Sequence, residues 1–355
     1  MKTTTADTLC CESTQTASLM SAEASCNRPG TLLSPEIGGY LDISANMPRR
    51  NKVNYEYALN AARFCLEYIF LERGYTSIRL PYYGCHTLAK AVSRAGATIQ
   101  YYAIDDHFTP IIDGDTPNIP ILFINYYGLM TSKCAEIAKR YKTVVIDNAQ
   151  AFYAPPIEGV DCIYSPKKFF ALPDGGFIIP GFPLEAPALE TDISYARMEH
   201  FVRRIDCGAE DAYSVSIANR DALAGSQMKS MSKLTRLMLS QVDIQYAAEK
   251  RKTNWDVLQE KLSRFNQLSF VREDDDVPLF YPFLFKNDIL RTRLNERKIF
   301  TPTYWPGMEN FAPDKSFDMY LYRYMHPITI DQRYSVEDMH TITCVIKNII
   351  TRGTC

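Results

Sequence analysis

The sequence predicts an α/β protein, with a large domain built on a mostly parallel sheet flanked by helices and a smaller C-terminal α/β domain. Three observations carry that prediction. Runs such as "IPILFINYYG" and "TVVIDNAQ" are apolar almost throughout, as strands buried on both faces are. They alternate with segments of helical period such as "AARFCLEYIFLER", which is how helices come to cover both faces of a parallel sheet. Beyond a long helical pattern that starts at Met231, the tail alternates strands and helices again on a smaller scale.

Residues 1–33 are Ser/Thr-rich and lack the apolar core of a secretory signal, so they read as a disordered leader. The large domain is expected over 34–245 and the small one over 246–355. Asn60 is placed to cap the helix "AARFCLEYIFLER", and Gly74 to end it. "SIRLP" is a strand cut off by Pro81, "TLAKAVSRAG" a helix closed by Gly96, and "TIQYYAID" the next strand. After "IPILFINYYG" come the helix "CAEIAKRY" and the strands "TVVIDNAQ", "VDCIYS" and "GGFIIP". Residues 181–230 are irregular and polar, which predicts a loop-rich excursion. From Met231 to Phe265 one long helix is expected, with Ile244, Ala248, Arg251, Trp255, Leu258, Leu262 and Phe265 on one stripe. On that helix Arg251 and Asn254 read as surface and packing residues, and further on His326 reads as structural.

Composition narrows the function. The 355 residues are 46% hydrophobic and 23% charged with a net charge of −2, so no charge excess points to nucleic acid or an anionic membrane. No run approaches the roughly 18 apolar residues of a membrane span. The ten cysteines include no C-x-x-C pair and the five histidines show no ligand spacing, so no metal is expected. Cys65, Cys162 and Cys344 lie in apolar runs and read as small core residues, a pattern that fits a reducing cytoplasm.

Parallel sheets bind ligands at the carboxyl ends of their strands. The small and polar residues there are Tyr82–Cys85, Asn125–Gly128, Asp147–Gln150 and Ser165–Lys168. Asp147 follows "TVVI", so its carboxylate is partly desolvated and needs a partner, either an arginine or the protonated ring nitrogen of a heteroaromatic cofactor. Lys167 and Lys168 sit beside a tight turn, Asp174–Gly175–Gly176. A lysine in apolar or cationic surroundings is a nucleophile toward aldehydes. An acid for a ring nitrogen together with a Schiff-base lysine is what pyridoxal 5'-phosphate requires.

"VVIDNAQAF" followed by "YSPKKFFALPDGGF" resembles the DegT/DnrJ/EryC1/StrS family of PLP-dependent sugar aminotransferases, which have the fold-type I architecture. The resemblance extends over roughly 34–355 through "PEIGGY", "LPYYGCHTL", "NYYG" and "MHPITIDQRYSVEDM". The spacing back from Asp174–Gly175–Gly176 selects Lys168 over Lys167 as the catalytic, cofactor-bound lysine. The resemblance further implies that Asp147 holds the pyridinium nitrogen and Gln150 approaches the ring hydroxyl. Ser165 and the turn at Ala62 and Arg63 then hold the phosphate, as helix N-termini hold anions.

This chain departs from the family pattern in three places. Ala62–Arg63 stands where the family has a Gly-Thr or Gly-Ser pair, so Arg63 replaces a hydroxyl contact with charge. Cys85 stands where many members stack an aromatic on the ring, which leaves Tyr83 or His86 for that task. Ser165 lies three residues before Lys168, closer than in many members. Asn125 and Tyr127 are the candidate substrate residues. The implied activity is transfer of an amino group, from glutamate in most of the family, to a keto sugar that is nucleotide-linked, by a cytoplasmic homodimer with residues 181–230 as candidate cross-subunit contact. The rival readings are a sugar dehydratase of the same fold, whose known branch has His in place of this lysine, and a degenerate binding protein.

Overall fold

The computed structural model describes residues 55–112 and 118–352, together with Ile43. The leader and "PEIGGY" lie outside the described residues. The chain divides into one unit over Met1–Asn46 and another over Met47–Cys355, and every element below belongs to the second.

The first part of that unit runs β1 (Tyr57–Leu59), α1 (Ala62–Arg73), β2 (Ser77–Pro81), α2 (His86–Arg94), β3 (Thr98–Ile104), β4 (Pro110–Ile111), β5 (Ile121–Ile124), α3 (Thr131–Arg140), β6 (Val144–Asn148), β7 (Asp161–Tyr164) and β8 (Gly176–Ile179). These strands form one eight-stranded sheet in the order β1-β8-β7-β6-β5-β2-β3-β4. β2, β3, β5, β6 and β7 are parallel, β8 runs against both its neighbours, and β4 runs against β3. Every residue of β5, β6 and β7 is buried, which accounts for their unbroken apolar sequence. The polar segments predicted to converge follow β2, β5, β6 and β7, which are adjacent in the sheet. Their carboxyl ends therefore share one edge.

The chain continues through α4 (Glu199–Gly225), α5 (Lys233–Gln241), α6 (Ile244–Leu262), β9 (Phe280–Leu284), α7 (Leu290–Asn295), α8 (Phe317–Tyr324), β10 (Met325–Thr329) and α9 (Val336–Arg352). β9 and β10 pair antiparallel as a separate two-stranded sheet. α6 packs on it through Trp255, whose ring centroid is 4.8 Å from that of Tyr281, and also packs on α9. A buried aromatic pair of this kind adds about 1 kcal/mol beyond the area it removes from water.

Four expectations change. Asn60 does not cap α1: the N-cap is Ala61, with no side-chain cap, and Gly74 ends the helix in the left-handed region as expected. The Asn60 amide instead reaches Asp192 and the carbonyl of Gln227, and its oxygen accepts from the Lys229 N–H. Residues 181–230 are not mainly loop, since α4 occupies 27 of them. It buries only Ala212 and Leu223, and Gly208 at φ 88° interrupts it, so exposure and a break together hid its period. The long helix from Met231 is two helices, with Asp243 accepting from the Tyr246 N–H to start α6. Finally, Cys65 and Cys162 are buried but Cys344 is exposed.

Candidate active site

α1 begins where β8 begins. The Gly175 N–H donates to the Asn60 carbonyl at 2.8 Å, and Gly175 pairs with Ala61 as a parallel bridge. Pro166, at the head of the lysine turn, lies 3.7 Å from the position a Cβ on Gly175 would take. Gly175 thus adjoins both the residue before α1 and the head of the Pro166–Lys168 turn. Asp174, fully buried, is committed elsewhere. It accepts from the Ser232 N–H and hydroxyl and the Thr235 hydroxyl, and so holds the start of α5.

Asp147 is the penultimate residue of β6, in register with Ile163 of β7, and is 7% exposed. Its Oδ1 accepts from the Ala149 N–H at 2.8 Å. Burial pushes the carboxyl up, and the positive charge of Lys168 and the Ala149 N–H hold it down. Lys168 itself is exposed, whereas Lys167 is half-buried. Burial pulls Lys167 down to about 8, with Arg63 adding to the effect and Asp174 opposing it. The two neighbouring lysines therefore act on different groups: the charge of Lys168 lowers the Asp147 carboxyl, while Lys167 feels Arg63 and Asp174.

Arg63 lies at the second position of α1, half-buried, with its Nη1 buried and unpartnered among the described residues. Burial, opposed by Cys85 and aided by Arg94, holds it below the usual arginine range. His86 and Lys167 both feel its charge. Glu67, one turn further along α1, is taken by Arg94 at 3.1 Å. A surplus of positive charge beside a helix N-terminus is suited to an anion.

Gln150, 1% exposed, accepts from the Tyr127 N–H at 2.8 Å, while its Nε2 has no partner among the described residues. An orphaned buried amide N–H is costly, and a ligand oxygen would satisfy it. Ser165 is buried, with its carbonyl accepting from the Lys168 N–H at 3.2 Å. The Gly176 backbone lies against the start of α1 at Ala62, and Ala62 and Arg63 are both half-buried.

Three predicted residues are drawn into the core instead. The Tyr83 hydroxyl meets that of Tyr127 at 2.7 Å and its ring packs on Tyr126 and Trp305, so it has no face to offer a cofactor. Asn125 bonds to Asn148 and to the Met130 N–H, and Tyr127 is held at both its N–H and its carbonyl. Both are fully buried, which removes them as substrate contacts. His86, by contrast, is exposed at the start of α2 and feels the charge of Arg63. Sequence reasoning missed Arg197 and Gln332, and set Arg251 aside, because only the fold brings them to the lysine turn. No group of His, Cys, Asp and Glu among the described residues is arranged to hold a metal, and none of their helices is long and apolar enough to cross a membrane.

Solved structures share this fold. DesV of S. venezuelae, solved in complex with a ketimine intermediate, is 16% identical over 82% of this chain and 84% of its own, with a TM-score of 0.58. A DegT DnrJ EryC1 StrS aminotransferase from Brucella abortus is 14% identical over 82% and 85%, with a TM-score of 0.56. The aminotransferase TlmJ of Streptoalloteichus hindustanus is 14% identical over 84% and 86%, with a TM-score of 0.60. No family model matches the chain, and no curated protein does.

Proposed function

We propose that the chain is a pyridoxal-phosphate-dependent aminotransferase that passes an amino group from glutamate to a nucleotide-linked keto sugar. The observation that carries this is that Asp147 and Lys168 come from neighbouring strand ends, where the lysine charge acts on the buried carboxyl, with a cationic helix start beside them. The likeness in fold to sugar aminotransferases such as DesV supports it.

The residues present fit the cofactor. Lys168 would take its aldehyde, Asp147 its ring nitrogen, the unpartnered Gln150 Nε2 its ring hydroxyl, and Arg63 with Ser165 its phosphate. When bound, the cofactor supplies the electron sink that lets a Cα–H bond break. Lys168 Nζ is then the group that moves the proton, taking it from Cα of the amino donor and returning one to the sugar carbon that receives nitrogen. Asp147, whose carboxyl is raised by burial and lowered by Lys168 and the Ala149 N–H, would stand opposite as the partner of the ring nitrogen. The lysine favours transamination over the dehydratase rival.

Lys168 is exposed in the single chain, and α4 presents Val202, Ile205 and Tyr213 to solvent. Both features support a homodimer in which a second copy closes the site.

Purified protein mixed with pyridoxal phosphate should acquire a visible absorption band that glutamate bleaches. Lys168→Ala should lack that band while Lys167→Ala keeps it. A colourless wild type, or a band indifferent to Lys168→Ala, overturns the proposal.

A further inference from the structure

The backbone carbonyl of Phe169, the residue after Lys168, accepts hydrogen bonds from two side chains that lie far along the chain. Gln332 Nε2 donates to it at 3.0 Å and Arg251 Nη2 at 3.4 Å. Arg251 belongs to α6 and Gln332 to the loop between β10 and α9, so both come from outside the eight-stranded sheet. The Arg251 guanidinium also lies over the Phe169 ring, with its Cζ 4.7 Å from the centroid.

The other arm of the same guanidinium reaches the opposite wall of the site. Arg251 Nη1 donates to the Leu279 carbonyl at 2.9 Å and toward that of Pro278 at 3.4 Å. The Leu279 N–H donates to the Tyr127 carbonyl at 2.7 Å, and the Tyr127 N–H to Gln150 Oε1 at 2.8 Å. One rigid, planar group therefore links the turn that carries Lys168, by way of the Leu279 and Tyr127 backbone, to the amide of Gln150. Asn254, one turn along α6, fastens the Gln332 loop by donating to the carbonyls of Ile330 and Tyr334, each at 3.1 Å.

For packing alone a charge here makes little sense. Arg251 is 2% exposed, and no acid among the described residues lies within ion-pair distance of it. Burial pulls it down only to about 10, with Asp331 opposing, so it is charged at neutral pH. A buried charge without an ion partner costs more than an apolar side chain of similar volume. What the guanidinium adds, and methionine cannot, is a fork of donors fixed in one plane.

We propose that Arg251, assisted by Gln332, is a positioning residue that sets where the Lys168 amine stands relative to the Gln150 amide. This inference rests on the reading of Lys168 and Gln150 as cofactor-holding residues. Through Arg251 the α6 and β9–β10 part of the chain governs the geometry of the lysine turn.

The test uses the full chain with Arg251→Met, Arg251→Lys and Gln332→Leu. Two readings are taken: the pH profile of the visible band formed with pyridoxal phosphate, and the rate at which trace acetic anhydride labels Lys168 relative to Lys167 in protein without cofactor, by mass spectrometry. Arg251→Met is expected to unfold at the same urea concentration as wild type or higher, yet to bind pyridoxal phosphate about tenfold more weakly, with an altered labelling ratio. Its band should titrate about half a pH unit away from the wild-type midpoint. Arg251→Lys should restore part of each change, and Gln332→Leu should produce a smaller change in the same direction. Wild-type titration and labelling in Arg251→Met would make the residue merely structural and overturn the proposal. If Arg251→Met does not fold, Gln332→Leu decides by the same two readings, an unchanged result overturning it. If the wild type binds no pyridoxal phosphate, the proposed function fails, while the labelling ratio still decides the positioning role.

Discussion

A Cβ added to Gly176 would stand 2.7 Å from the Cα of Ala62 and 2.7 Å from the carbonyl carbon of Ala61, with the Ala62 nitrogen closer still. The start of β8 lies directly on the start of α1, and the obstacle is backbone, which cannot rotate aside. Gly176→Ala is therefore expected to cost about 3 kcal/mol of stability, at the upper end for overpacking, read from the midpoint of urea unfolding. Because the same contact sets the entry of α1, the variant should also lose affinity for pyridoxal phosphate. A variant as stable as wild type would mean that α1 can shift freely against the sheet.

Asp147→Asn separates stability from function. The Ala149 N–H keeps an acceptor in the amide oxygen, while a buried charge disappears. Without cofactor the variant should unfold at the same urea concentration or higher. With cofactor, bleaching by glutamate should slow by two orders of magnitude or more, roughly the scale of a lost ionised partner in catalysis. Stopped-flow absorbance measures this directly.

Arg63 and Lys167 should make phosphate recognition depend on charge. Pyridoxal, which lacks the phosphate, serves as the comparison ligand. Arg63→Met should narrow the preference for pyridoxal phosphate by roughly tenfold or more, as expected for a lost charge-assisted hydrogen bond. Lys167 in the free protein loses its proton near 8, so wild-type affinity for inorganic phosphate should fall as pH rises from neutral through that point. Lys167→Met should flatten this dependence in isothermal titration calorimetry.

His326, 1% exposed on β10, is pushed down to about 3, chiefly by burial and also by the charge of Arg291, with the Phe285 carbonyl opposing. Its folded value lies below its unfolded one, so the unfolded chain takes up the proton first as pH falls. Stability should therefore decline from about pH 6.5 toward pH 3, with this group contributing a slope of roughly 1.4 kcal/mol per pH unit. His326→Leu removes that slope, which urea titrations at several pH values would show. An unchanged slope would place the acid sensitivity elsewhere.

Apolar runs and turn glycines marked β2, β3 and β5 to β8 and the helices between them, because a strand buried on both faces leaves its signature in consecutive residues. The spacing from Asp147 through Lys168 to Gly176 was singled out by the family resemblance, and it follows one path of chain across neighbouring strand ends. Where the decisive partner lies far away, local pattern carried no information. Asn60 looked like a helix cap, yet its amide partners are 132 and 167 residues along the chain. Tyr83 looked available to a ring, until Tyr127 and Trp305 closed over it. Arg251 looked like packing on an amphipathic stripe, but its acceptor at Phe169 is 82 residues earlier. Secondary structure and motif spacing follow from interactions between near neighbours, which the order of residues records. Which buried donor meets which carbonyl depends on how separate elements pack, and only the folded chain decides that.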